Sequence, residues 1–305
     1  MPLRILYIDT CKNSCNYYND IVKYLKKQSD LIFVSDNKYT NTTIMDTKPN
    51  IIILGFGLTN CGSGKPTFKL KEKTKIPLYI ILNKEYTGLE NKLVWAKSLN
   101  PKKVFTVHHD YHEYQKKINI PFVRIMWSTD QLFFKKYDEE YKNDLFFSGV
   151  IREQQTDNMR YKIYNKLDEL KDYKLLVKAK IFINSQKIGK TGLFSNKDYG
   201  KQINHSKIIV TTTGPADLVG TRYFETMASN KAMILCNRMP KNVYDDIIID
   251  KFNCVMFDDE NDFIEKFKYY IEHEDERIKI VNTAYQYFLD KHTWDHKVKH
   301  LLESL

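Results

Sequence analysis

No apolar run in the 305 residues approaches the roughly 20 needed to span a bilayer. The opening stretch, MPLRILYIDT, turns polar too soon for a secretory signal. Those absences give the expectation of a cytoplasmic protein. Cysteine is sparse and scattered: Cys11, Cys15, Cys61, Cys236 and Cys254 form an odd set without regular spacing. That argues against a disulfide framework and for free thiols in a reducing compartment. Cys11 and Cys15 have the spacing of half a metal site, but no second pair follows, so zinc is not expected. No Asp-x-Asp occurs to hold a metal between phosphates. Acidic residues are outnumbered, 38 against 48 basic, for a net charge of +10. Such a balance suits nucleic acid, an anionic membrane surface or phosphorylated small molecules. The lysines are spread along the chain and no nucleic-acid motif appears, so nucleic acid is not an expected partner. Peripheral contact with an anionic membrane fits the charge.

What is present is a full apolar complement, 42% hydrophobic and 13% aromatic, enough for real cores and for two domains of ordinary size. Apolar runs at Leu3–Ile8, Leu31–Val34, Ile51–Leu54, Leu78–Leu82, Val104–Val107 and Phe122–Met126 read as strands. Between them lie helical or irregular connections, the clearest an amphipathic helix from Tyr17 to Gln28. The alternation predicts a doubly wound parallel sheet. The loop from Gly55 to Thr67 imitates nucleotide-binding motifs but satisfies none of them. Counting back from Gly64-Lys65 puts Thr59 where a P-loop needs glycine, and Gly55-x-Gly57 continues to Asn60. It reads as a flexible loop at the carboxyl end of the sheet.

After a charged stretch, Lys135 to Asn143, the pattern restarts with Asp144-Leu-Phe-Phe-Ser-Gly149-Val-Ile-Arg152. A helix is expected over Arg160–Leu170, strands at Lys174–Val177 and Ile181–Ile183, and a short helix over Tyr199–Ser206. The stretch from Ile208 to Asn237 organises this half. A β-branched strand, Ile208–Val210, enters a turn-rich loop, Thr211 to Pro215, and a helical pattern begins near Gly220. Phe224, Met227 and Ala228 share one face of that helix and Glu225 lies just off it. Asn230 suits the helix end, and Ala232 to Cys236 is a further strand. Arg222 stands at the helix start, where a cation is disfavoured unless an anion is near. The chain closes with two helical patterns whose apolar faces are Phe263, Ile264, Phe267, Tyr270, Ile271 and Val281, Ala284, Tyr285, Phe288, Leu289.

Arg222-Tyr-Phe-Glu225 followed by small residues and an apolar strand resembles the donor-site helix of GT-B glycosyltransferases, nearest the spore-maturation-type group (glycosyl transferases group 1). Asp217 and Glu225, with seven residues between them, are similar to the Glu-x7-Glu of related retaining enzymes, the first acid being changed to Asp. Trp127-Ser-Thr-Asp130-Gln-Leu-Phe133 resembles the segment that ends the first domain in that family. His292-Thr-Trp294 is similar to the signature before its last helix. The resemblance implies two Rossmann-like domains facing each other across a cleft: residues 1–134 for the acceptor, 144–290 for a nucleotide-sugar donor, and a helix over 291–305 returning to the first domain. It implies sugar transfer from a nucleotide-sugar to a glycan, protein or small-molecule acceptor hydroxyl, with retention and without metal or other cofactor.

Glycosyl transfer needs cations or amides for the departing phosphate and acceptors for sugar and ribose hydroxyls. Donor contacts are expected from Arg152, Arg222, Tyr223, Glu225 and the amides of Thr213 and Gly214. Asp217 is the expected sugar-side carboxylate, or else a cap for the helix beyond Gly220. Glu85, after the fourth strand, and His109, after the fifth, are candidates for orienting the acceptor. A rival reading is a noncatalytic nucleotide- or carbohydrate-binding protein with the same fold.

Overall fold

The computed structural model of the protein describes residues 3–10, 16–40, 42–61, 64–70, 74–152, 158–183, 186–188 and 194–305. Cys11, Cys15 and most of the expected Asp9–Asn16 loop lie outside the described residues, as do Gly62 and Ser63. The chain divides into two compact units, Met1–Ser128 with Trp294–Leu305, and Thr129–Thr293.

In the first unit β1 (Arg4–Asp9) leads through α1 (Asn16–Gln28) to β2 (Asp30–Ser35), and α2 (Thr43–Thr47) leads to β3 (Ile51–Leu54). Then come β4 (Leu78–Ile81), α3 (Leu89–Ser98), β5 (Lys103–Thr106), α4 (Tyr111–Ile118) and β6 (Phe122–Arg124). The sheet order is β2-β1-β3-β4-β5-β6, every pairing parallel. Strands such as Ile51-Ile-Ile-Leu54 carry no polar alternation because helices cover both faces of a parallel sheet. Leu6, Ile8, Ile52, Leu54, Ile80 and Val104 all lie in one buried cluster.

The loop after β3 departs from the flexible one expected. Phe56–Thr59 is a 3-10 turn, and its residues are buried. Asp9 anchors it by accepting from the amides of Gly57 and Leu58 as well as Thr10. Burial pushes the Asp9 carboxyl up to about 7, against the pull of those amides. Glycine is required at the turn: a Cβ on Gly57 would stand 2.1 Å from Thr10 Oγ1 and 2.4 Å from Asp9 Oδ1.

The second unit contains β7 (Asn143–Arg152), α5 (Met159–Lys166), β8 (Leu175–Ile183), β9 (Gln186–Ile188) and α6 (Asn196–Asn204). These precede β10 (Ser206–Thr211), α7 (Thr221–Ser229), β11 (Met233–Asn237), α8 (Lys241–Tyr244), β12 (Val255–Phe257), α9 (Glu260–Glu272) and α10 (Glu274–Lys291). Its sheet runs β12-β11-β10-β7-β8-β9, parallel except for the β8–β9 hairpin. Where two strands were expected over 174–183 there is one. Lys178, Ala179 and Lys180 interrupt the apolar run without interrupting the pairing, which continues to Arg152↔Phe182. Residues 129–142 belong with this unit because Asn204 holds them, its amide nitrogen donating to the Lys135 carbonyl (2.9 Å) and its Oδ1 accepting from Tyr137 N (2.8 Å).

The final helix, α11 (Trp294–Glu303), packs in the first unit. Trp294, Val298 and Leu301 are buried. Tyr79 donates its hydroxyl to the Leu305 carbonyl (2.7 Å), and Gln28 donates to the Asp295 carbonyl (3.2 Å). Among the described residues no helix is long and apolar enough to cross a membrane.

Candidate functional site

The strand order of the second sheet reverses between β7 and β10, where the chain first builds outward through β8 and β9 and then returns to the other side. Open α/β sheets bind ligands at the carboxyl ends of their strands beside such a reversal. A cavity of about 220 Å³ lies there. Ser148 and Gly149 from β7, Lys178 and Lys180 from β8, and Thr221, Arg222 and Glu225 from α7 contribute to its lining. Two larger grooves, of about 740 and 610 Å³, lie elsewhere, one around Phe252 and Tyr269 and one around Pro77 and Asn100. Neither gathers a carboxylate and arginines at a strand reversal.

The start of α7 explains the placement of its side chains. Its N-cap is Gly220, which supplies no capping side chain. Phe224, Met227 and Ala228 are buried against the unit's interior. That burial turns the faces carrying Thr221, Arg222 and Glu225 toward the cavity. Arg222 Nη1 donates to the Ser148 carbonyl at 2.7 Å, tying helix to strand. Glu225 accepts a hydrogen bond from the Thr221 side chain, while burial raises its pKa above the usual 4.5 despite Thr221 and Arg222. The helix ends at Asn230, whose φ of 47° is the left-handed cap its residue type favours.

Several expected site residues are placed differently. Tyr223 points into the core at 1% exposure, its hydroxyl 2.9 Å from that of Tyr244, which donates to the Asn237 carbonyl. Its side chain is not part of the cavity's lining. The amides of Thr213 and Gly214 are already used: Thr213 N donates to Asn237 Oδ1 (3.2 Å) and Gly214 N to the Leu218 carbonyl (2.7 Å). Closing the turn takes the donors that a phosphate was expected to use. Asp217 does not cap α7, the N-cap being Gly220. It is exposed and left-handed at φ 56°, directly after Ala216 at φ 53°, with Thr213 Oγ1 3.5 Å from its carboxylate. Two adjacent non-glycine residues in that region cost roughly 1–2 kcal/mol each. Arg152 ends β7, but its side chain lies outside the described residues.

In the first unit Glu85 is 3% exposed, accepts from Thr106 Oγ1, and has its second carboxylate oxygen buried without a partner. Burial raises its pKa, Thr106 and Lys92 opposing. Glu85 is thus enclosed within the first unit, held on one oxygen by Thr106. His109 follows β5 with its ring stacked on His108, centroids 4.3 Å apart, and its Nε2 3.5 Å from Asp110. His108, His109 and Asp110 bring their ligand-type atoms within 4.8 Å of one another, the group among the described residues that could hold a metal ion.

The sequence reading missed Arg160, Lys178 and Lys180. Arg160 Nε donates to Thr212 Oγ1 (3.0 Å) and Nη2 to the carbonyls of Thr212 (3.2 Å) and Thr213 (3.3 Å). Its pKa is lowered to about 10, first by burial and then by the charge of Arg222. Lys178 and Lys180, two apart on one strand, share a face. That alternation was legible and was lost when the strand was read as two.

Each unit is built on a doubly wound α/β sheet, the fold class expected of a GT-B protein. Residues 157–303 match the family described as "Glycosyl transferase-like". That match spans just under half of the chain. Anabaena HepE, solved in complex with UDP and glucose, is similar over 99% of this chain and 100% of its own, at 9% identity and TM-score 0.61. Sucrose-phosphate synthase from Thermosynechococcus elongatus is similar over 99% and 98%, at 9% identity and TM-score 0.64. A glycosyltransferase from Rickettsia africae is similar over 99% and 97%, at 13% identity and TM-score 0.57. No curated protein sequence matches the chain.

Proposed function

We propose that the protein transfers a sugar from a nucleotide-sugar to an acceptor hydroxyl, with retention of configuration and without a metal. The observation that carries this reading is the joining of Arg222 and Glu225 in one cavity at the β7/β10 reversal. A carboxylate accepts from two hydroxyls at once, which suits Glu225 to the donor ribose. Arg222, beside the start of α7, faces the departing diphosphate, where a fixed cation gains most as charge develops. Asp217 is the acceptor for sugar hydroxyls, and Arg152 a second cation. His109 is the group of the first unit proposed to orient the acceptor. That the similar HepE structure holds UDP and glucose supports a UDP-linked donor as the first to try.

The test is a thermal-shift screen of the whole protein against UDP-, GDP-, ADP- and CMP-sugars, followed by turnover of the best binder with and without EDTA. A ligand that binds only the folded state raises Tm. One nucleotide-sugar is expected to do so, and its turnover to survive EDTA nearly unchanged. Strict dependence on Mg²⁺ or Mn²⁺ contradicts the cation assignment, and binding without turnover by any acceptor or water favours the noncatalytic alternative.

A further inference from the structure

Arg160 is a part-buried cation of the second unit. It opens α5, whose N-cap Asn158 accepts from the Arg160 amide. Its guanidinium turns away from solvent to bridge three oxygens of Thr212 and Thr213, at 3.0, 3.2 and 3.3 Å. All three acceptors are neutral, and among the described residues no carboxylate pairs with it. The neighbouring guanidinium of Arg222 is likewise bonded to a carbonyl, that of Ser148. Gly149 lies between them. A Cβ there would stand 2.8 Å from Arg160 Cδ, 3.1 Å from Arg160 Nε and 3.4 Å from Arg222 Nη1. Two like charges are thus packed around one glycine, at the edge of the cavity that Arg222 and Gly149 line.

Part-buried like charges repel, and each raises the cost of keeping the other ionised. The lowered pKa of Arg160, with Arg222 among its causes, has the sign this geometry requires. A dianion in the cavity removes that repulsion. Meanwhile the hydrogen bonds of Arg160 hold the carbonyls of the Thr212–Thr213 segment, which begins the strained turn through Ala216 and Asp217.

Resting on the donor-site reading above, we propose that Arg160 is a positioning residue for the donor diphosphate. It acts from behind the cavity wall by fixing the Thr212–Thr213 segment and by adding a second, unneutralised charge beside Arg222. Gly149 is the position whose lack of a side chain lets Arg160 pack close beside Arg222. The charge part of this role distinguishes it from a structural one. A brace for the turn affects every ligand alike, whereas a charge affects ligands according to their own charge.

The experiment compares the full-length wild type with Arg160→Met, Arg160→Lys and Gly149→Ala. Calorimetry measures binding of inorganic pyrophosphate, a nucleoside diphosphate and the matching nucleoside, with circular dichroism as a check on folding. For Arg160→Met we expect diphosphate and pyrophosphate affinity to fall by about tenfold or more, the order of one cation's attraction for a nearby dianion. Nucleoside affinity should change by less than about threefold. Arg160→Lys keeps the charge and should retain most of the preference for diphosphate over nucleoside. Gly149→Ala, which displaces the Arg160 side chain without removing its charge, should lose part of it. Equal losses for nucleoside and diphosphate in Arg160→Met and Gly149→Ala overturn the proposal while leaving the donor site standing. If Arg160→Met does not fold, the pattern in Arg160→Lys and Gly149→Ala decides by the same criterion. A wild type that binds neither diphosphate nor pyrophosphate overturns the donor-site reading itself, and this proposal with it.

Discussion

Glu225 and Tyr223 are two residues apart on the same helix and answer to different parts of the protein. Glu225 faces the cavity with a pKa raised by burial, so its ionised form, the one that accepts two hydroxyls, is harder to keep than usual. The sign follows: donor affinity is full above the raised value and is lost as pH falls through it, at a pH above the ordinary 4.5. Nucleotide affinity measured across the acid range should show that loss, and Glu225→Gln should flatten it. Tyr223 is held by the hydroxyl of Tyr244 beneath the helix. Tyr223→Phe should cost about 0.5–1.5 kcal/mol of stability, the usual worth of one hydrogen bond. It should leave nucleotide affinity unchanged. A denaturation curve and a titration on the same preparation check both halves, and a large loss of affinity would return Tyr223 to the donor site.

At the scale of elements, turns set what each site can offer. The turn after β3 is closed by Asp9, and the turn after β10 spends the Thr213 and Gly214 amides on Asn237 and Leu218. Gly57→Ala should therefore destabilise the first unit by about 1–3 kcal/mol, the common cost of forcing an atom into packed structure. Thermal melting measures it, and an unchanged Tm would mean that the turn yields. These turns are also where sequence reading stopped short. The apolar periodicity of α7 and its Asn230 end were legible, because packing and capping are local. The buried state of Phe56–Thr59 was not, since it depends on a carboxylate 47 positions upstream of Phe56, at Asp9. The burial of Glu85 was hidden for the same reason: its partners Thr106 and Lys92 come from other elements.

The whole molecule is two sheets, parallel but for the β8–β9 hairpin, each in its own unit, with α11 returning to the first. Regular alternation of apolar runs with helices made that class readable from the sequence. The motif around Arg222 and Glu225 pointed to the half of the chain in which the cavity lies. Arg160 stayed unread because nothing in its local sequence tells that it reaches Thr212, 52 positions along the chain. The central claim is that a nucleotide binds in the second unit through the carboxylate of Glu225. Hydrogen bonds to a charged group are worth about 1.5–3 kcal/mol each. The most direct test is calorimetric titration of the preferred nucleotide into full-length wild type and Glu225→Ala, both shown to be folded. The account predicts affinity weaker by about ten- to several-hundred-fold in the variant, and equal affinities would contradict it.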